Sequence, residues 1–178
     1  MAARKIMILG AIGVGKTSLA NRLAFGRFET SYKATIGVDI YTTTAPLQGG
    51  GKPMPLVLWD TDGDFGLSIF RTVYLKGASG ALIVADVTRP ASLDQMAALI
   101  SGFREALPGR PCAAVLNKSD LVAREAAGIS GEPGSGPPPD LLARARGADV
   151  VALASARTGH GVAGLFAELA ATIERRSL

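Results

Sequence analysis

Cysteine and histidine are almost missing from this chain of 178 residues; each occurs once, as Cys112 and His160. A single cysteine excludes an internal disulfide framework and a four-cysteine zinc site. Cys112 lies in the apolar run Cys112 to Leu116, which predicts a buried thiol. His160, with no nucleophile or metal set beside it, reads as a solvated residue at a helix start rather than a catalytic one. Aromatic residues make up only 6%. The basic residues are scattered, so a net charge of +4 with pI near 9.5 reads as solvated faces and not as a nucleic-acid platform. No apolar run approaches the ~20 residues of a transmembrane helix. Residue 2 is Ala and the chain ends Arg-Arg-Ser-Leu. Neither N-myristoylation nor prenylation is therefore expected, which leaves no direct lipid anchor. A cytoplasmic location fits these absences. What remains is 48% apolar and 19% charged, the balance of one globular domain over residues 1–178.

The stretch Ile6 to Ser18 is an apolar strand, a loop with three glycines, a lysine and two hydroxyl residues. Gly10, Gly15, Lys16 and Thr17 satisfy the phosphate-loop pattern. Glycines let the backbone wrap close to phosphate oxygens. The N–H groups of Ile12, Gly13, Val14, Gly15 and Ser18 belong to this nest at a helix N-terminus, where the dipole also favours anions. Lys16 adds a point charge for β- and γ-phosphates, and Thr17 offers a hydroxyl to Mg2+. Arg4 and Lys5 before an apolar run also resemble a signal peptide, but three glycines and an embedded lysine make a poor apolar region.

Further along, apolar strands alternate with amphipathic stretches. Strands are expected over Lys5 to Gly10, Val38 to Leu47, Met54 to Asp60, Gly80 to Val87, Pro111 to Asn117 and Val150 to Leu153. Helices are expected over Thr17 to Phe25, Leu67 to Lys76, Leu93 to Leu107 and Val162 to Ile173. The glycine-rich turn between strands two and three predicts an antiparallel hairpin. The whole is an α/β fold: a six-stranded, mostly parallel sheet with one antiparallel edge strand and helices on both faces. Ligands in such sheets bind at the carboxyl ends of the strands. Residues 128–139, rich in Gly and Pro, are expected to form a flexible loop. Asp140 would then cap a short helix from Leu141 to Arg146, stopped by Gly147.

Three more polar groups fall at strand ends. Asp60 either holds Mg2+ or its water, or caps the next turn. Asn117-Lys118-Ser119-Asp120 and Ser155-Ala156-Arg157 follow the fifth and sixth strands. In this order, each after an apolar strand, they resemble the guanine-recognition elements of the Ras superfamily of small GTPases, most closely the Rab-like branch. The resemblance runs over nearly the whole chain and implies the phosphate-loop NTPase three-layer fold, with GTP or GDP and Mg2+ as ligands. Asp120 would accept from the guanine N1–H and 2-amino group. Asn117 and Lys118 would brace the base and the phosphate loop, while Ser155, Ala156 and Arg157 complete the base pocket. Phe28 sits where the family stacks an aromatic edge on the base. The segment Tyr32 to Asp39 looks like the first switch, with Thr35 reaching Mg2+. Asp60-Thr61 and Gly63 resemble the second switch, with the Gly63 N–H on the γ-phosphate. Tyr32, Ile36, Phe65, Ile69 and Phe70 are apolar candidates for readout by effector proteins, or for the core. Exchange or activating proteins would use the same switches on a chain that is monomeric when isolated.

Two departures from the family pattern bear on catalysis. The second switch normally reads Asp-Thr-Ala-Gly-Gln-Glu, whereas here Asp60-Thr61-Asp62-Gly63-Asp64-Phe65 stands. The family's glutamine positions the attacking water. Asp64 is shorter and, when ionised, only accepts. A carboxylate about 4 Å from the γ-phosphate, at an effective dielectric of about 20, is repelled by about 4 kcal/mol before screening. Ile12 replaces the small residue often found beside the γ-phosphate, and would crowd an arginine supplied in trans. Lys16, Thr35, Gly63 and Asp64 are thus the catalytic set, and hydrolysis is expected to be slow, with Asp64 turned away or acting as a substitute base. Two rival readings are a guanine-nucleotide-binding pseudo-GTPase that barely hydrolyses or switches, and a phosphate-loop kinase or ATPase. The second predicts an arginine-rich lid that this sequence lacks.

Overall fold

The structure, a computed structural model, describes residues 2–30, 35–47, 50–122 and 137–176. Six strands form one sheet: β1 (Arg4–Gly10), β2 (Val38–Ala45), β3 (Met54–Thr61), β4 (Ala78–Asp86), β5 (Cys112–Asn117) and β6 (Val150–Leu153). Their spatial order is β2-β3-β1-β4-β5-β6. Only the β2–β3 pair is antiparallel, as the glycine-rich hairpin turn predicts. Every residue of β4 and β5 is buried, the mark of parallel strands covered on both faces.

The side-chain period of two divides the core. Ile6 and Ile8 of β1 join a cluster with Leu19 of α1 (Lys16–Phe25) and Phe166 and Leu169 of α4 (Val162–Arg176). Met7 and Leu9 face the opposite way. They join Leu93, Met96, Ile100 and Phe103 of α2 (Pro90–Ala106) and half-buried Leu141 of α3 (Pro139–Arg144). Helices thus cover both faces of the sheet. The chain leaves β1 toward one face through α1 and leaves β4, the neighbouring strand, toward the other through α2. That divergence opens a crevice at the carboxyl ends of β1 and β4, where a ligand of such a sheet binds. Among the described residues no helix is long and apolar enough to cross a membrane.

Several boundaries differ from expectation for local reasons. β2 stops at Ala45 because Pro46 has no N–H for the ladder. Pro111 likewise precedes β5, although its carbonyl accepts from Ala81 N–H at 3.1 Å. The helix expected over Leu67 to Lys76 is instead two 3-10 segments, Gly63–Arg71 and Val73–Leu75. The first is kinked at Gly66, whose φ of 47° and ψ of −135° lie outside helical space. Asp140 does not cap α3. Pro138 holds the cap position and Pro139 opens the helix with its fixed φ, leaving Asp140 inside the first turn. Tyr32 and most of the expected loop at 128–139, its residues 128–136, lie outside the described residues.

Candidate functional site

The loop after β1 carries the first half of the site. Gly15 opens α1 with φ of 99°, and a Cβ there would stand 2.3 Å from Asn117 Nδ2. Only glycine meets both demands. Lys16, buried at the helix start, donates from Nζ to Gly10 O and Ala11 O, each at 3.0 Å. Burial holds its pKa below the ordinary lysine value; Asp60, Asp62 and Asp64 oppose that shift and Arg89 adds to it. Gly63 packs directly on the loop, since a Cβ there would lie 2.4 Å from Ile12 N. The segment after β3 therefore reaches the phosphate loop through a residue with no side chain.

Thr17, Thr35 and Asp60 meet in one place. Thr17 Oγ1 donates to Asp60 Oδ2 at 2.5 Å and lies 2.9 Å from Thr35 Oγ1. Asp60 is fully buried, and its Oδ1 has no hydrogen-bond partner among the described residues. Burial pushes its pKa up to about 6, against the Thr17 hydrogen bond and the Lys16 charge. Two hydroxyls and an orphaned buried carboxylate oxygen are a hard-oxygen set that fits Mg2+. Asp60 is not the turn cap: the cap of the following 3-10 segment is Asp62, whose Oδ1 accepts from Asp64 N–H at 3.0 Å.

A cavity of about 200 Å³ is bounded by Ile12, Gly13, Lys16, Thr35, Gly63 and Asp64. Asp64 is exposed at its rim, and Ile12 is 46% exposed. A second cavity, about 410 Å³, lies beside it and includes Ser18, Phe28, Asn117, Lys118, Asp120 and Arg157 in its walls. Gly15 and Thr17 line both, so the two form one elongated cleft.

The second cavity is cross-braced. Asn117 Nδ2 donates to Val14 O at 2.8 Å, and its Oδ1 accepts from Ala156 N–H at 3.1 Å. Lys118 adopts a left-handed φ of 65°, rare for a side chain of this size. Its Nζ bonds Gly13 O and the Asp86 carboxylate, each at 2.7 Å. Asp120 Oδ1 accepts from Ser155 Oγ at 2.6 Å, and Arg157 Nη1 stands 3.9 Å from Oδ2. Val14 contributes only backbone, its side chain being core. The structure thus brings together every site residue expected from sequence.

The readout candidates separate. Ile36 is 91% exposed. Ile69 is core, and Phe65 and Phe70 pack half-buried against the same cluster. His160 is exposed and Cys112 buried, its thiol pushed up to about 11 by burial.

Two arginines at the site went unnoticed in the sequence. Arg22 of α1 donates to Ala156 O at 2.8 Å, Arg157 O at 2.5 Å and Gly26 O at 2.8 Å. Arg89 donates to Ile12 O at 2.9 Å. Neither lies in a motif. The one local signal is that Arg89 precedes Pro90 at a helix start, where a cation is an unusual choice.

The chain matches the Ras family model over residues 5–175. It is 39% identical over 123 residues to the Ras-related protein Rab-1C of Dictyostelium discoideum, covering 68% of this chain and 60% of that protein. It is 34% identical over 122 residues to the GTP-binding nuclear protein GSP1 of Encephalitozoon cuniculi, covering 68% and 56%. Against the Ras-related protein Rab-13 of Rattus norvegicus identity is 33% over 121 residues, covering 67% and 59%. The matches span somewhat more than half the length of these relatives. The near-complete family match, on a sheet whose phosphate loop, paired threonines and braced asparagine-to-aspartate segment share one cleft, means that the chain belongs to the Ras family.

Proposed function

We propose that this chain is a guanine-nucleotide switch that binds GTP or GDP and hydrolyses GTP slowly. The observation that carries the reading is Asp120, a carboxylate anchored by Ser155 in the wall of a cavity that runs into the phosphate loop. Asp120 accepts the two adjacent donors of guanine. Adenine has no such pair and would leave the carboxylate unmatched, at a cost of ~1–3 kcal/mol or more. Phe28 supports the base face, and Lys16 turns from the loop carbonyls to the phosphates. Thr17, Thr35 and Asp60, the last through water, would hold Mg2+, which supplies neutralising charge on the phosphates.

Thr35 and the Gly63 N–H sense the γ-phosphate, and the two switch segments order around it. Their backbones already meet, with Asp62 N–H donating to Gly37 O at 2.8 Å. Asp64 at the cavity rim offers the water no donor, and Ile12 beside it crowds an arginine from a partner. Turnover is therefore slow, and an activating protein, where one acts, works without an arginine finger. Effectors read the exposed Ile36 side and the second switch. The protein works as a monomer in the cytoplasm, without nucleic acid.

A second reading, a guanine-nucleotide protein that scarcely switches, is favoured by the Asp62 cap, which already ties down the second switch segment. Identifying the nucleotide released from the purified protein, and timing its hydrolysis, tests the main reading. GDP or GTP with slow conversion is the expected result; ATP or no nucleotide contradicts it. Identical hydrogen-exchange patterns with GDP and a non-hydrolysable GTP analogue would favour the second reading.

A further inference from the structure

Successive carbonyls of the phosphate loop each have a side-chain donor. Lys16 serves Gly10 and Ala11, Lys118 serves Gly13, and Asn117 serves Val14. The carbonyl between these groups, Ile12 O, is served by Arg89 Nη2 at 2.9 Å. The peptides here are trans, so each C=O and the N–H that follows it point opposite ways. A donor that fixes a carbonyl on one side of the loop sends the next N–H to the other. Asn117, Lys118 and Arg89 in this way set the N–H groups of Gly15, Val14 and Gly13. The first two donors belong to motifs the sequence displays. Arg89 belongs to none.

Arg89 stands on a fixed post. Its N–H donates to Asp86 O at 3.0 Å, and its carbonyl accepts from Ser92 N–H at 2.9 Å and Ser92 Oγ at 2.8 Å. The Asp86 carboxylate is the one that pairs with Lys118, so two loop donors share a support. Arg89 is also the N-cap of α2, without a side-chain cap bond. That position ordinarily takes a short polar side chain and repels a cation. A broken local rule with a gain elsewhere marks a functional position. The gain here is a charged donor on the Ile12 carbonyl, which polarises the peptide and strengthens its Gly13 N–H as a donor.

The geometry points to Arg89 as a positioning residue: through the Ile12 carbonyl it aims the Gly13 N–H at the phosphates of the bound nucleotide. The assignment rests on the guanine-nucleotide reading above. It is tested with this whole chain as wild type, Arg89→Ala and Arg89→Lys, by GDP affinity, single-turnover GTP hydrolysis and the 31P resonance of the β-phosphate of bound GDP. Arg89→Ala should move that resonance, weaken GDP about tenfold and slow hydrolysis by a similar factor, as loss of one charge-assisted hydrogen bond implies. Arg89→Lys should recover part of each. An unmoved resonance, with or without loss of affinity, overturns the assignment and leaves the nucleotide reading intact. A wild-type protein that shows no bound GDP resonance overturns both.

Discussion

Asp64 borders the smaller cavity and Asp60, four residues earlier, is buried behind the Thr17 that lines it, so their surroundings give them different work. Asp60 is fully buried, accepts from the Thr17 hydroxyl through one oxygen and has no partner for the other among the described residues, so a divalent cation would relieve it. Asp64 is exposed at the rim, its backbone N–H already taken by Asp62. Its ionised carboxylate would offer the phosphates and the attacking water acceptors only. Replacing it by glutamine restores a donor and removes a negative charge. In a single-turnover assay Asp64→Gln should hydrolyse GTP faster by at least about tenfold, on the scale of a positioned proton-handling group. A rate no greater than wild type would show that Asp64 does not limit hydrolysis.

At the scale of elements, the cleft depends on what joins α1 to the loop after β6. Arg22 makes that join, with its guanidinium spread over the carbonyls of Ala156, Arg157 and Gly26. Those residues carry one wall of the second cavity and the end of α1. Removing the fork frees the wall without touching the phosphate loop. Arg22→Ala should speed GDP release about tenfold, on ~1–1.5 kcal/mol for the lost bonds, while association changes little; stopped-flow exchange measures both. Unchanged release would mean that the wall holds without it.

Arg22 and Arg89 also explain what was legible in the sequence and what was not. The phosphate loop could be read because its chemistry demands particular residue types at short spacings, Asp60 because a carboxylate ends an apolar strand, and Asn117 to Asp120 and Ser155 only through their resemblance, in order after apolar strands, to the small-GTPase family. The β2–β3 hairpin and the buried strands β4 and β5 could be read from turn residues and continuous apolar runs. An arginine that bonds a backbone carbonyl leaves no such trace, because every residue offers a carbonyl. Ile12 lies 77 positions from Arg89, and Ala156 lies 134 from Arg22. The kink at Gly66 escaped for another reason: the apolar spacing around Ile69 suits a 3-10 turn as well as a helix.

At the scale of the whole molecule, the end of the sheet away from the cleft is clasped by Asp149. Its carboxylate accepts from Cys112 N–H at 2.9 Å, Arg104 of α2 at 2.8 Å and Arg176 of α4 at 2.5 Å. One side chain thereby ties β5 to helices on both faces. Burial alone would raise its pKa, but the Cys112 N–H and the two guanidinium groups outweigh burial and hold it below the ordinary carboxylate value. A depressed carboxylate stabilises the fold above its unfolded pKa of about 4, and that contribution fades as pH falls through the lower folded value. Asp149→Asn should therefore cost about 2 kcal/mol at pH 7, and the gap to wild type should narrow below about pH 4. Denaturant unfolding across that range measures it, and a constant gap would contradict the sign. The clasp lies at the end of the sheet away from the cleft, so GDP affinity should survive the change.

The central claim is that Asp120 makes this cleft a guanine site. It is tested most directly by measuring GDP and ADP affinity side by side for the wild type and for Asp120→Ala. The wild type should prefer GDP by at least about a hundredfold, as a site built to match a donor pair rejects a base that lacks it. In Asp120→Ala most of that preference should vanish through loss of GDP affinity, with ADP little changed. Equal affinities in the wild type, or a GDP preference untouched by Asp120→Ala, would contradict the account.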